Sequence, residues 1–243
     1  MKKKFKVLLS LSLSACLSFF IGTTAFANEL TDTSVSSKVL NTNINNKFSS
    51  MTNEQLNQYI DNIKKSFNNT NMTTSNISGT KAVTSSSTGT IGEAWLAAAQ
   101  IARNAGYPCA ASLVECSVNN YAFTENSALG NSALFHDKII TTSAYKSSPY
   151  NTKSQSSLSG SIVFNKSDNS DLFYALHNVN ISVTNTNPGT IYNMCTTKIT
   201  DTFDFAYDNN YDSLFTTLVN NWAWLCQQTS VLNKIPVTIS WLS

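Results

Sequence analysis

Charge is scarce in this chain. Only 12% of its 243 residues are Asp, Glu, Lys or Arg, and only two are histidine. Ser, Thr and Asn carry the polarity instead, which suits an exported protein meeting cell wall or another protein through neutral hydrogen bonds. The first 27 residues hold four lysines and no acid, so their removal takes the formal net charge from +2 to −2. A weakly acidic chain argues against nucleic acid, because phosphates are neutralised by a concentrated basic surface. Past those residues no run approaches the ~18 apolar residues of a spanning helix. There is no C-x-x-C, H-E-x-x-H, phosphate loop, dinucleotide fingerprint or G-x-S-x-G elbow, so no metal or cofactor is expected.

What is present begins with an export signal. Lys2, Lys3, Lys4 and Lys6 form a basic start, an apolar stretch runs from Val7 to Ile21, and Ala25-Phe26-Ala27 fits the small-x-small cleavage rule. The expected mature start is Asn28, and the expected location is extracellular. Leu13-Ser14-Ala15-Cys16 resembles a lipoprotein box, which makes anchoring through Cys16 the alternative, although the following Leu17 to Ile21 stays apolar.

Residues 28–89 read as a Ser/Thr/Asn-rich flexible leader, attached or removed as a pro-segment, with one short helix near 51–67. Thr52 and Gln55 match a capping box, and Leu56, Tyr59, Ile60, Ile63 and Phe67 recur at helical spacing. A single domain is expected over 90–243. It opens with a helical hairpin: Thr90 and Glu93 suggest a second capping box, Gly106 a left-handed stop, and Pro108 the first turn of the next helix. From Ala122 to Gly160 the signal fades, with a short strand suggested at Lys138–Ser143; a strand at Ser161–Phe164 and a helical turn at Ser170–Leu176 are suggested after it.

The clearest stretch runs from Leu172 to Phe205. Val179, Ile181 and Val183 alternate with polar residues, Asn187-Pro188-Gly189 suits a type II turn, and Ile191, Cys195, Ile199 and Phe203 repeat the period. That pattern predicts two antiparallel strands with His177 on the apolar face. A long last helix is expected from a cap at Asp212, with Phe215, Leu218, Trp222 and Leu225 inward and Trp224 nearly opposite. Pro236 to Trp241 alternates as a final strand. The expected class is α+β: the helical hairpin, then an antiparallel sheet with the long C-terminal helix packed on it.

Candidate chemistry is thin. His177 and Cys195 are the nearest thing to a nucleophile pair, diagonal at best on facing strands. Glu115-Cys116-Ser117 is similar to the Glu-Ser that opens a lytic transglycosylase signature, without the glycine-rich match downstream. Asp204, Asp208 and Asp212 could gather a cation, although Ser213 and Val219 stand where an EF-hand loop needs glycine and glutamate. Cys109, Cys116, Cys195 and Cys226 permit two disulfides or serve as buried thiols. Cys109 and Cys116 lie roughly 10 Å apart along one helix, too far to bridge each other. Trp224 is a candidate surface contact, or a second buried one.

The segments AWLAAAQIARNAGYPCAASLVECSV and DLFYAL…ISV…ITDTFDF, within 94–120 and 171–205, resemble an uncharacterised family of exported bacterial proteins, Gram-positive in kind. The resemblance covers about a third of the mature chain and implies no activity. The leading expectation is therefore a secreted, non-catalytic domain that binds a protein, cell-wall or membrane-surface partner. A secreted toxin or bacteriocin-like effector acting on membranes is the alternative, and a cell-wall hydrolase the third.

Overall fold

The structure is a computed structural model and describes residues 47–74, 85–127, 133–151, 157–185, 194–205 and 221–243. The expected signal, the leader before 47, the turn at 187–189, Asp208 and Asp212 lie outside the described residues.

The chain is α+β, with helices packed on one five-stranded mixed sheet. Helix α1 (Asn53–Thr74) begins at the expected capping box: Thr52 N–H donates to Gln55 Oε1 at 2.8 Å, and Gln55 N–H to Thr52 Oγ1 at 3.3 Å. It is longer than its apolar pattern suggested, and Leu56, Ile60 and Ile63 are buried in the common core. Helix α2 (Ser85–Asn104) starts upstream of the Thr90–Glu93 box, so Thr90 lies inside the helix. Glu93 turns instead to the Tyr59 hydroxyl on α1 and to the Lys47 ammonium in the turn before that helix. The domain thus opens with three helices rather than a hairpin.

Gly106 has φ +93° and ends α2 in a Schellman motif: Tyr107 N–H reaches Ala102 O at 3.0 Å, and Gly106 N–H reaches Arg103 O at 3.0 Å. Helix α3 (Pro108–Val118) starts on its proline. Asn120 (φ +56°) closes it in the same way, with Tyr121 N–H on Cys116 O at 3.0 Å.

Strand β1 (Phe123–Ser127), helices α4 (Leu134–Ile139) and α5 (Ser143–Lys146), and a 3₁₀ turn at Pro149–Asn151 occupy the region that the sequence left vague. The strand suggested at Lys138–Ser143 is not formed; those residues end α4 and start α5. Strand β2 (Ser157–Val163), helix α6 (Ser170–Ala175), strands β3 (Asn178–Asn185) and β4 (Cys195–Phe203), the short helix α7 (Trp222–Cys226) and strand β5 (Ile235–Leu242) follow. The described part of the last helix is five residues, and its expected start at Asp212 lies outside the described residues.

The strand order is β1-β5-β4-β3-β2. All neighbours are antiparallel except β1, which runs parallel to β5 with Phe123 opposite Val237. This corrects the all-antiparallel expectation. Alternation puts Val183, Thr197 and Trp241 in one inward row and Ile181, Ile199 and Ile239 in the next. Over the sheet, Trp95, Phe205 and Trp222 meet edge to face at 5.2–5.7 Å and join α2 to α7 and the end of β4.

Three helix starts are capped by carboxylates distant in sequence. Asp171 accepts from Cys109 and Ala110 N–H, each at 3.0 Å, at the head of α3. Glu125 accepts from Phe135 and His136 N–H at the head of α4, and Asp168 from Ser143 and Ala144 N–H at the head of α5. The residues preceding α3 and α4 provide no side-chain cap of their own. A carboxylate at a helix N-terminus satisfies orphan donors and complements the dipole.

Candidate functional site

A cavity of about 200 Å³ opens where the sheet meets α4, α5 and the 3₁₀ turn. Adjacent strands β3, β4 and β5 supply Val183, Cys195 and Trp241. Helix α4 and the residue after it supply His136 and Ile140, α5 supplies Tyr145, and the turn supplies Tyr150 and Asn151. The distant caps set this geometry: Glu125 fixes the start of α4, while Asp168 and Thr142 fix the start of α5. Gly160 on β2 lies against the Tyr150 hydroxyl, so a Cβ there would make the Tyr150 side chain move.

The polar groups in this wall are few. His136 Nδ1 lies 2.9 Å from Asp137 Oδ1, and its ring packs 5.2 Å from Trp241. Tyr145 packs 5.8 Å from the same indole, edge to face. Burial pushes the Tyr145 phenol above its usual range, against hydrogen bonds from Thr197 and Trp241 that stabilise the phenolate. Cys195 is 1% exposed, and its backbone pairs with Ser243 in both directions at 2.9 Å.

The residues singled out from sequence do not assemble. His177 is not on a strand face. It sits exposed before β3 with φ +46°, ends α6, and lays its ring on Phe173 at 4.9 Å. Cys195 faces Asn185, eight residues further along, which is roughly 26 Å of strand. That separation removes the Cys195–His177 pair. Glu115 is gripped by Arg103, whose guanidinium donates to both carboxylate oxygens at 2.6 and 2.8 Å and clamps α2 to α3. Asp204 pairs with Lys234 at 2.5 Å, while its proposed companions Asp208 and Asp212 lie outside the described residues.

Cys109, Cys116, Cys195 and Cys226 stand as thiols rather than disulfides. Burial, with the Asp171 charge added, pushes the Cys109 thiol far above the range where it ionises. Burial and the Glu115 charge push Cys116 up to about 11. Neither is a nucleophile at neutral pH. Trp224 is corrected from a surface contact to a buried one: it is 8% exposed and meets Phe67 edge to face at 6.0 Å. Within the Ser/Thr-rich stretch 140–161 the described residues include α5, the 3₁₀ turn and the start of β2, which is paired along its length with β3.

Sequence reasoning missed His136, Tyr145 and Tyr150 as a group. The only signal was the Phe135-His136-Asp137 adjacency, which could not show that α4 delivers the imidazole to Trp241. Among the described residues no helix is long and apolar enough to cross a membrane. No protein-family model, curated protein or solved structure matches the chain.

Proposed function

We propose that the protein is an exported, non-catalytic domain that binds a ligand at or beyond the cell surface through the cavity between the sheet and α4–α5. The observation that carries this reading is the cavity itself: it is preformed, and its walls converge from six segments of the chain. The remaining reactive candidates serve the fold: Glu115 is held by Arg103, and His177 ends a helix. Export rests on the basic, apolar and small-x-small pattern of residues 1–27.

The test uses the mature chain and its association with isolated cell walls and with cultured cells. Cys195→Ser and His177→Ala proteins with unchanged circular dichroism retain that association, while the cavity-filling Ile140→Phe weakens it. Dye release from liposomes by the wild type would favour the toxin reading instead. Soluble fragments released from peptidoglycan would favour the hydrolase.

A further inference from the structure

We propose that strand β2 pairs edge to edge with β2 of a second copy of this chain, joining two sheets about a two-fold axis. The proposal does not rest on the cavity or its ligand. Among the described residues β2 ends the sheet on one side and β1 on the other. An antiparallel strand turns alternate N–H and C=O groups to each flank, so β3 satisfies one flank of β2 and the other flank offers its row to a further strand. The backbone is open there. Gly160, at the middle of β2, is exposed, and a glycine exposes only main chain. Ile181 of β3 stands beside it on one flank, and the Tyr150 hydroxyl occupies the place of its side chain. The exposed main chain therefore belongs to the outer face and the outer flank.

Folded proteins keep an edge from pairing with charge, proline, a bulge or a short strand. The residues of β2, Ser-Leu-Ser-Gly-Ser-Ile-Val, include no charge and no proline. Their register with β3 runs unbroken from Ser157 opposite Thr184 to Val163 opposite Asn178, so there is no bulge. Strand β1 is the contrast: it has five residues, and the acid at its centre, Glu125, turns inward to α4. The order of residues in β2 says which strand fits it. Read outward from Gly160, Ser159 matches Ser161 and Leu158 matches Ile162; only the outermost pair, Ser157 with Val163, is unlike. An antiparallel pair centred on Gly160 thus sets serine opposite serine on the outer face and leucine opposite isoleucine on the inner face, each twice. With no charge in the strand, no like charges meet. The same patch serves both copies, as a two-fold interface requires.

The experiment is sedimentation equilibrium of the mature chain from about 10 μM to about 1 mM. One short strand a side falls well under the roughly 20–30 residues a side of a standard interface, so a weak dimer is expected, half formed near about 0.1 mM. Two variants at exposed outer-face positions fix the register. Ser159→Lys/Ser161→Lys sets lysine opposite lysine twice and should weaken the dimer by about tenfold. Ser159→Lys/Ser161→Glu sets lysine opposite glutamate twice and should dimerise at least as tightly as the wild type. Ser159→Glu/Ser161→Glu repeats the repulsion with the other sign, so one misfolded variant does not remove the test. Both differences should shrink in high salt. The proposal is overturned by a wild type that stays monomeric at about 1 mM, by equal dimerisation of the repulsive and attractive variants, or by growth past the dimer, which would set β2 against a different edge.

Discussion

Asp171 is the residue whose loss should be felt most widely. Its side chain is 3% exposed and accepts three hydrogen bonds: Cys109 N–H at 3.0 Å, Ala110 N–H at 3.0 Å and the Lys138 ammonium at 2.8 Å. It lies on α6, yet it caps α3 and holds α4, which carries His136 into the cavity. In Asp171→Ala two buried donors lose their acceptor, at about 1 kcal/mol or more each. Lys138 loses its counter-charge as well, but its side chain is 28% exposed and keeps some water, so that part falls below the 3–5 kcal/mol of a fully buried pair. The total is about 3–4 kcal/mol. In a domain of this size that lowers Tm by roughly 10 °C. Asp171→Asn retains one acceptor but turns an amide N–H₂ toward donors, and should cost about 2 kcal/mol. Urea unfolding at pH 7 of wild type, Asp171→Asn, Asp171→Ala, Lys138→Met and the Asp171→Ala/Lys138→Met double variant separates the cap from the ion pair. The cycle should show coupling of about 1–2 kcal/mol. An Asp171→Ala cost below about 1 kcal/mol would refute the reasoning, because a buried carboxylate holding three donors cannot be that dispensable.

Asp201 shares the core-facing side of β4 with Ile199 and Phe203 and stands opposite Val237. Burial raises its carboxyl above the usual 3.8, against a hydrogen bond from Thr202 N–H. A raised acid favours the folded state while protonated, so the stability is present below 3.8 and is lost as pH rises through the folded value. Asp201→Asn should therefore raise the urea midpoint at pH 7 and leave it unchanged near pH 3; a lower midpoint at pH 7 would contradict the sign. Ile60→Ala, at a fully buried position on α1, should cost about 2–5 kcal/mol, measured by urea unfolding, if α1 belongs to the core. A negligible cost would restore 51–67 to the leader. Iodoacetamide at pH 8 should leave Cys109 and Cys116 unmodified in the native protein and label both in urea, as read by peptide mass spectrometry, since burial disfavours both thiolates.

The features legible in the sequence share a short range. Thr52 and Gln55 close their box across one turn, Gly106 and Pro108 end and begin helices through their own backbone chemistry, and Val179, Ile181 and Val183 take one face by strand alternation. Each depends on residues no more than a few positions apart, so each could be read before any packing was known. Trp224 shows the limit: its placement opposite the apolar face was deduced from helical geometry, but its burial depended on Phe67, far away in the chain.

By itself, then, the sequence determined the mixed class, the positions of most helices and the alternation of the central strands, because period and capping are local energies. Only the tertiary structure decided where those elements meet. The acceptor for Cys109 N–H lies 62 residues away, β1 finds β5 across most of the domain, and His177 leaves its expected strand face because the chain must turn there out of α6. The cavity belongs to this second kind. It exists because three strands and two capped helices leave a gap at one end of the sheet, and a gap is a property of packing that no single segment encodes.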